Sequence, residues 1–197
     1  MVAVNGESLS PEAHRMIEYV AKRSRELSAV EIRERIRAAA QELEKLVDGI
    51  GDADARKRPA EGKWNIAEVV DHIAQTQSRG TDELRQLLAG RRPQGPPVYE
   101  ALRSGGGTWA PWRDLIDGLK SANAEMVSLI NGETPIDGPT VRTIMVVLRA
   151  LPDGSSGSQI WEQELNWKEY AILQRLHLLD HRTQIQNLVK SIASAAA

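Results

Sequence analysis

The chain has no cysteine and no phenylalanine among its 197 residues. Without cysteine there is no disulfide, no thiolate nucleophile and no sulfur-ligated metal, so any metal must be held by nitrogen and oxygen donors. Without phenylalanine, five tryptophans and three tyrosines supply all aromatic packing. An excess of either charge is also missing. The 25 Lys and Arg nearly balance the 27 Asp and Glu, for a formal net charge of -2, so no face is marked out for nucleic acid or an acidic membrane. The short cluster Arg56-Lys57-Arg58 beside Pro59 reads as a solvated loop. The longest apolar run, Ile144 to Leu148, is far too short to span a bilayer. The opening residues lack the basic and apolar regions of a signal peptide. These absences predict a cytoplasmic protein that binds a small molecule rather than nucleic acid or membrane.

What is present is helical periodicity in four long segments. The first opens at Ser28 with Glu31 three residues on, a capping-box pattern, and carries Ile32, Ile36, Ala39, Ala40, Leu43, Leu46, Val47 and Ile50 on one face. Gly49 and Gly51 end it. The second opens at Asn65 with Glu68 in the matching place, carries Ile66, Val69, Val70, Ile73, Leu84, Leu87 and Leu88, and stops at Gly90. The third is predicted to start near Thr108 with Pro111 in its first turn and to end at Asn131-Gly132. The fourth opens at Asn166, with Glu169 three residues on, and runs to Ile192. Residues 1–27 form an N-terminal extension, helical from Pro11 with Ser10 as its cap, whose narrow apolar set suits packing on the outside of the domain or on a partner. Residues 28–197 form the main domain.

The connections carry topology. Residues 90–107 are rich in Gly, Pro and Arg and are longer than an antiparallel hairpin needs. A linker of this length can return along a bundle, at about 3.3 Å per residue. The prediction is an all-α, up-down-down-up four-helix bundle. Between the last two helices, the β-branched residues Val141, Thr143, Ile144, Val146 and Val147, the turn signal Pro152-Asp153-Gly154 and Ile160-Trp161 predict a small β-hairpin. A short helix from Val141 to Arg149 is the competing reading.

Of the four histidines, three fall on inward stripes. Counting from Leu173 on the fourth helix, His177, His181 and Gln184 share its stripe with Leu188. His72 leans inward beside Ile73. Imidazoles at i and i+4 lie on one helix face, and a third from a facing helix completes a three-histidine set with open positions, as catalytic metal sites have. The alternative is three hydrogen-bonded core histidines. The motif is not the His-Glu-x-x-His of zinc proteases, because Leu178 stands where the glutamate would be. Glu68, Gln174, Asp180 and Gln184 are the candidates for orienting the rings. Asp180 and Glu68 are the candidate catalytic acids, and a capping role for Glu68 is the plain alternative. Trp109, Trp112 and Asn123 are read chiefly as packing or inward polar groups, and His14 as a surface residue.

Lys63-Trp64-Asn65-Ile66-Ala67-Glu68-Val69-Val70-Asp71-His72-Ile73 resembles the Trp-(Ser/Asn)-Ile-x-Glu-Val-x-x-His-(Leu/Ile) segment of the DinB-like superfamily of damage-inducible, YfiT-like metal-dependent proteins. His177-Leu178-Leu179-Asp180-His181-Arg182-Thr183-Gln184-Ile185 resembles its second signature, His-x-x-x-His-Arg-x-Gln-Ile. The likeness covers residues 28 to 192. It implies an up-down-down-up bundle, metal ligation of Zn, Ni, Fe or Mn by His72, His177 and His181, and a homodimer. It further implies a hydrolase or a thiol S-transferase using a low-molecular-weight thiol, or else a non-catalytic stress-related binding protein whose histidines are structural. The N-terminal extension and residues 140–165 depart from the family's minimal pattern.

Overall fold

The computed structural model describes residues 8–95, 109–132, 136–150 and 156–195. Its elements in order are α1 (Pro11–Glu26), α2 (Ala29–Asp48), α3 (Asp52–Ala55), α4 (Ile66–Leu88), α5 (Trp112–Leu129), β1 (Val141–Ala150), β2 (Ser156–Leu165) and α6 (Trp167–Ala195). The long helices start where their capping residues put them. Ser28 and Glu31 form a reciprocal capping box at α2, and Asn65 and Glu68 form one at α4. At α6 the Asn166 side chain accepts from Glu169 N at 3.0 Å, and Glu169 accepts from Asn166 N at 3.0 Å. Each box satisfies two of the amide donors that a helix start leaves open. Thr108 lies outside the described residues, and α5 begins later than the sequence suggests. Pro111 is its N-cap residue and Trp112 its first turn, because a proline ahead of the helix fixes the entry without needing an amide partner.

Side-chain pairs set the directions of the four bundle helices. Glu44 meets Asn123 and Asp48 meets Lys120, so α2 and α5 are antiparallel. Arg182 pairs with Glu42, and Lys168 donates to Leu27 O just before α2, so α2 and α6 are parallel. His72 faces His177, while Glu83 faces Tyr170, so α4 and α6 are antiparallel. Taken together, α2 runs up, α4 and α5 run down, and α6 runs up. Helices α2 and α4 each pack on both α5 and α6. The connection that lets α4 and α5 run parallel includes residues 96–108, which lie outside the described residues.

The segment before α6 is a β-hairpin, not a short helix. β1 and β2 pair antiparallel with Val141 opposite Leu165 and Met145 opposite Trp161. The return strand starts at Ser156, ahead of Ile160; the expected Pro152–Gly154 turn lies outside the described residues. Val141, Met145, Trp161 and Leu165 share one face of the pleat and are all buried. The N-terminal helix docks on α6 and β1 and joins the common core through Ala13 and Val20. A buried glutamine from β2 fixes its entry. Gln159 accepts from Ser10 N at 2.7 Å and donates to Ser8 O at 3.0 Å, while the Ser10 side chain caps α1. The four-residue α3 was not visible in the periodicity. It ends at Arg56, whose guanidinium donates to Ala110 O ahead of α5.

Candidate metal centre

The histidine trio is assembled by the antiparallel pair α4 and α6. The capping box fixes the first turn of α4, and His72 follows in its second turn with a 5% exposed side chain. His177 and His181 project from successive turns of α6. His72 Nε2 and His177 Nε2 lie 3.2 Å apart, and His177 Nε2 and His181 Nε2 lie 3.0 Å apart. One donor nitrogen from each ring falls within 4.8 Å of the others. The Trp64 ring lies 5.1 Å from that of His72, at a tilt.

The α6 stripe differs from the one periodicity suggested. The most buried residues of α6 include Ala171, Gln174, Leu178 and Ile185, one stripe over from the histidines. Leu173, His177, His181, Gln184 and Leu188 are half-buried and line a cavity of about 1110 Å³. Leucines at 173, 176, 178 and 179 surround the helix, so the apolar pattern alone does not choose the stripe. The cavity choice gives the histidines access to a ligand, which full burial would deny.

Electrostatics keep two of the rings neutral. Burial pushes the His177 pKa well below its ordinary value, and the neighbouring His181 and His72 push in the same direction. Burial also lowers His181, partly countered by its bond to Gln184. Gln184 Oε1 lies 2.7 Å from His181 Nδ1. An amide oxygen accepts, so this nitrogen carries the proton and Nε2 is left with its lone pair facing the trio. His177 Nδ1 is buried without a hydrogen-bond partner among the described residues.

Two of the trio's three nitrogen separations can be set against a simple fit test for a cation. Nitrogen ligands about 2.0–2.1 Å from one ion, at tetrahedral to octahedral angles, stand about 2.9–3.4 Å apart. The two close nitrogen separations lie inside that window. Neutral imidazoles suit zinc, nickel, iron and similar divalent ions, and the donor set contains no sulfur. The three-histidine group could therefore hold a divalent metal, with positions left open toward the cavity.

The other predicted residues separate. Asp180 lines the cavity. Although much of its surface is in water, partial burial raises its carboxyl pKa above the ordinary value. It has no hydrogen bond or ion pair among the described residues; Arg182, two residues on, pairs with Glu42. Glu68 does not line the cavity. Its Oε2 accepts from Asn65 N at 2.8 Å and its Oε1 from Arg58 at 2.6 Å, so both oxygens are engaged at the start of α4. Gln174 also lines the cavity, but it makes no hydrogen bond to a histidine among the described residues. Trp112 is buried and donates to Ile50 O at 2.8 Å, whereas Trp109 is 90% exposed; neither lines the cavity. Asn123 is buried and donates to Glu44, and His14 is exposed. The sequence reading did not single out Arg79, Glu83, Tyr170 or Thr76, all of which line the cavity. For Arg79 the signal was available: it stands two turns after His72, on the same face of α4.

A four-helix bundle whose facing helices bring histidines together at one cavity defines a class of helical proteins able to hold a metal. The sequence pattern of the DinB superfamily matches residues 35–151, from within α2 past the end of β1 and including His72. This chain belongs to the DinB superfamily. The match ends before α6, so His177 and His181 join the site through the structure. No curated protein matches the chain, and no solved structure matches it.

Proposed function

We propose that this protein is a metal-dependent enzyme, a hydrolase or thiol S-transferase acting on a small molecule at a divalent ion held by His72, His177 and His181. The observation that carries the reading is the convergence of three ring nitrogens at the wall of a large cavity. A bound ion supplies Lewis acidity that lowers the pKa of a coordinated water or thiol toward neutrality. The chain's own groups do the rest. Half-buried His177 and His181 have lowered pKa values, so they stay neutral and keep their lone pairs free at physiological pH. Gln184 holds His181 in the required tautomer. Asp180, with its raised pKa and no competing partner, takes up or returns a proton at its carboxylate as the substrate reacts. Glu68 acts at a distance, by fixing the helix turn that presents His72.

The cavity volume exceeds the roughly 300–1,000 Å³ of most small-molecule clefts, which leaves room for a low-molecular-weight thiol beside an electrophile. The reading extends to a cytoplasmic homodimer that binds neither nucleic acid nor membrane. The near-neutral charge supports this in part, as does the lack, among the described residues, of a helix long and apolar enough to cross a bilayer. The test is turnover of a low-molecular-weight thiol with an electrophile, and of an activated ester, before chelation, after chelation and after reloading. Activity should follow the metal and fall in Asp180→Asn. Protein that purifies without metal and gains nothing from added metal would overturn the proposal.

A further inference from the structure

The cavity holds a second polar cluster that the histidine chemistry does not use. Arg79 follows His72 by seven residues on α4, which puts it on the same face about 10 Å farther along the helix. Its Nε donates to Glu83 Oε1 at 3.0 Å. Buried Tyr170 donates its hydroxyl to the other oxygen, Glu83 Oε2. Glu83 is thus held from two sides and in turn orients the guanidinium. A Cβ at Gly80 would stand 2.8 Å from Gln174 Nε2, at the movable end of that side chain. With glycine there, Gln174 lies close against α4.

Glu83 is the sole hydrogen-bond partner of Arg79 among the described residues, and the bond uses only Nε. The two terminal amino groups of Arg79 remain, at a cavity wall where the side chain is 39% exposed. A guanidinium fork of this kind matches a carboxylate in two parallel hydrogen bonds. Arg142 on β1 brings a second cation to the cavity and is only loosely tied, at 3.5 Å, to Glu162. The cavity wall as a whole is largely apolar, with Ile144, Val146, Leu173 and Leu176 among its lining residues and Thr76 on α4 between His72 and Arg79.

We infer that Arg79 anchors the carboxylate of an elongated, mostly apolar substrate whose reacting group reaches the three histidines. The inference rests on reading this cavity as the substrate site. It narrows the substrate class to carboxylates with an apolar stretch on the order of 10 Å between the anion and the reacting group.

The probes are octanoate and its uncharged counterpart octanamide, titrated calorimetrically into the wild type, Arg79→Gln, Arg79→Lys and Arg142→Gln, with metal content measured on each sample. The wild type should prefer octanoate by about tenfold or more. Arg79→Gln should erase the preference at unchanged metal content. Arg79→Lys, which preserves the ion pair with Glu83 should Arg79→Gln fail to fold, should keep part of it. Arg142→Gln should lower it less than Arg79→Gln does. Equal binding of the two probes overturns the anchor and leaves the metal reading standing. So does a preference that survives Arg79→Gln, or one that vanishes on chelation alone, since the carboxylate would then bind the ion. A preference that depends on Arg79 and survives chelation supports the anchor; protein that shows it but takes up no metal when metal is added sinks the metal reading and leaves the anchor standing.

Discussion

Replacing Glu68 separates a structural from a chemical role for this acid. In Glu68→Ala the buried amide of Asn65 loses its acceptor at 2.8 Å, and an unsatisfied buried amide costs about 1–3 kcal/mol. The bond to Arg58 is lost as well. Because the Arg58 side chain is 44% exposed, solvent screening limits that term to about 0–1 kcal/mol. The expected loss is about 2 kcal/mol. For a chain of this size it lowers Tm by about 4–8 °C, from roughly 2–4 °C per kcal/mol. Glu68→Gln keeps an acceptor at the third helical position and can still close the box, so it should recover most of the loss. The assay is thermal unfolding of metal-free protein, with metal affinity measured alongside. A Glu68→Ala variant that melts like the wild type, or a Glu68→Gln variant that is fully stable yet inactive, would refute the capping argument and return Glu68 to the chemistry.

Three further outcomes follow from the same geometry. Gln184→Leu removes the acceptor on His181 Nδ1 and should weaken metal affinity about 10- to 100-fold; unchanged affinity in a competition titration contradicts the tautomer argument. Burial, with the nearby Glu83 charge, raises the Tyr170 pKa well above the usual value of 10.0. The native state therefore holds the phenolic proton more tightly than the unfolded chain. The stability this contributes is complete below about pH 10 and is lost as pH rises above that value. One phenol should therefore ionise only on unfolding in an alkaline absorbance titration, and Tyr170→Phe should abolish that step; smooth titration of all three tyrosines in the native state would count against it. Gln159→Leu strips the partners of Ser10 N and Ser8 O and should cost about 1–3 kcal/mol, with faster hydrogen exchange at the start of α1. Unchanged protection there would show that the clamp does not hold α1.

Local chemistry made much of the fold legible in the sequence. Ser28-Glu31, Asn65-Glu68 and Asn166-Glu169 mark three helix starts, because a capping box uses only residues three apart. The length of the linker after Gly90 pointed to the parallel pair α4 and α5, as the side-chain pairings show. The approximate places of the hairpin and of α1 were also readable, from β-branched spacing and from Ser10-Pro11. What escaped depends on contacts remote in sequence. The histidine stripe of α6 faces a cavity rather than the core, and no periodicity shows this on a helix with leucines all round. Gln159 reads as an ordinary strand residue until Ser8 and Ser10 are placed beside it. Arg79-Glu83 reads as a surface i,i+4 pair, and only the arrival of Tyr170 from α6 turns it into a fixed cluster. The sequence already favoured Asp180, three residues after His177 and next to His181, over Glu68, which the capping box explains. The structure separates them, engaging both oxygens of Glu68 at the helix start and leaving Asp180 at the cavity wall.

The central claim is that His72, His177 and His181 together hold one divalent ion. The most direct measurement is the metal stoichiometry of purified, metal-reloaded protein beside His177→Ala, with circular dichroism to verify folding. The account predicts about one equivalent in the wild type and a folded variant with almost none. A wild type that stays empty in excess metal, or a His177→Ala variant that still binds a full equivalent, would contradict it.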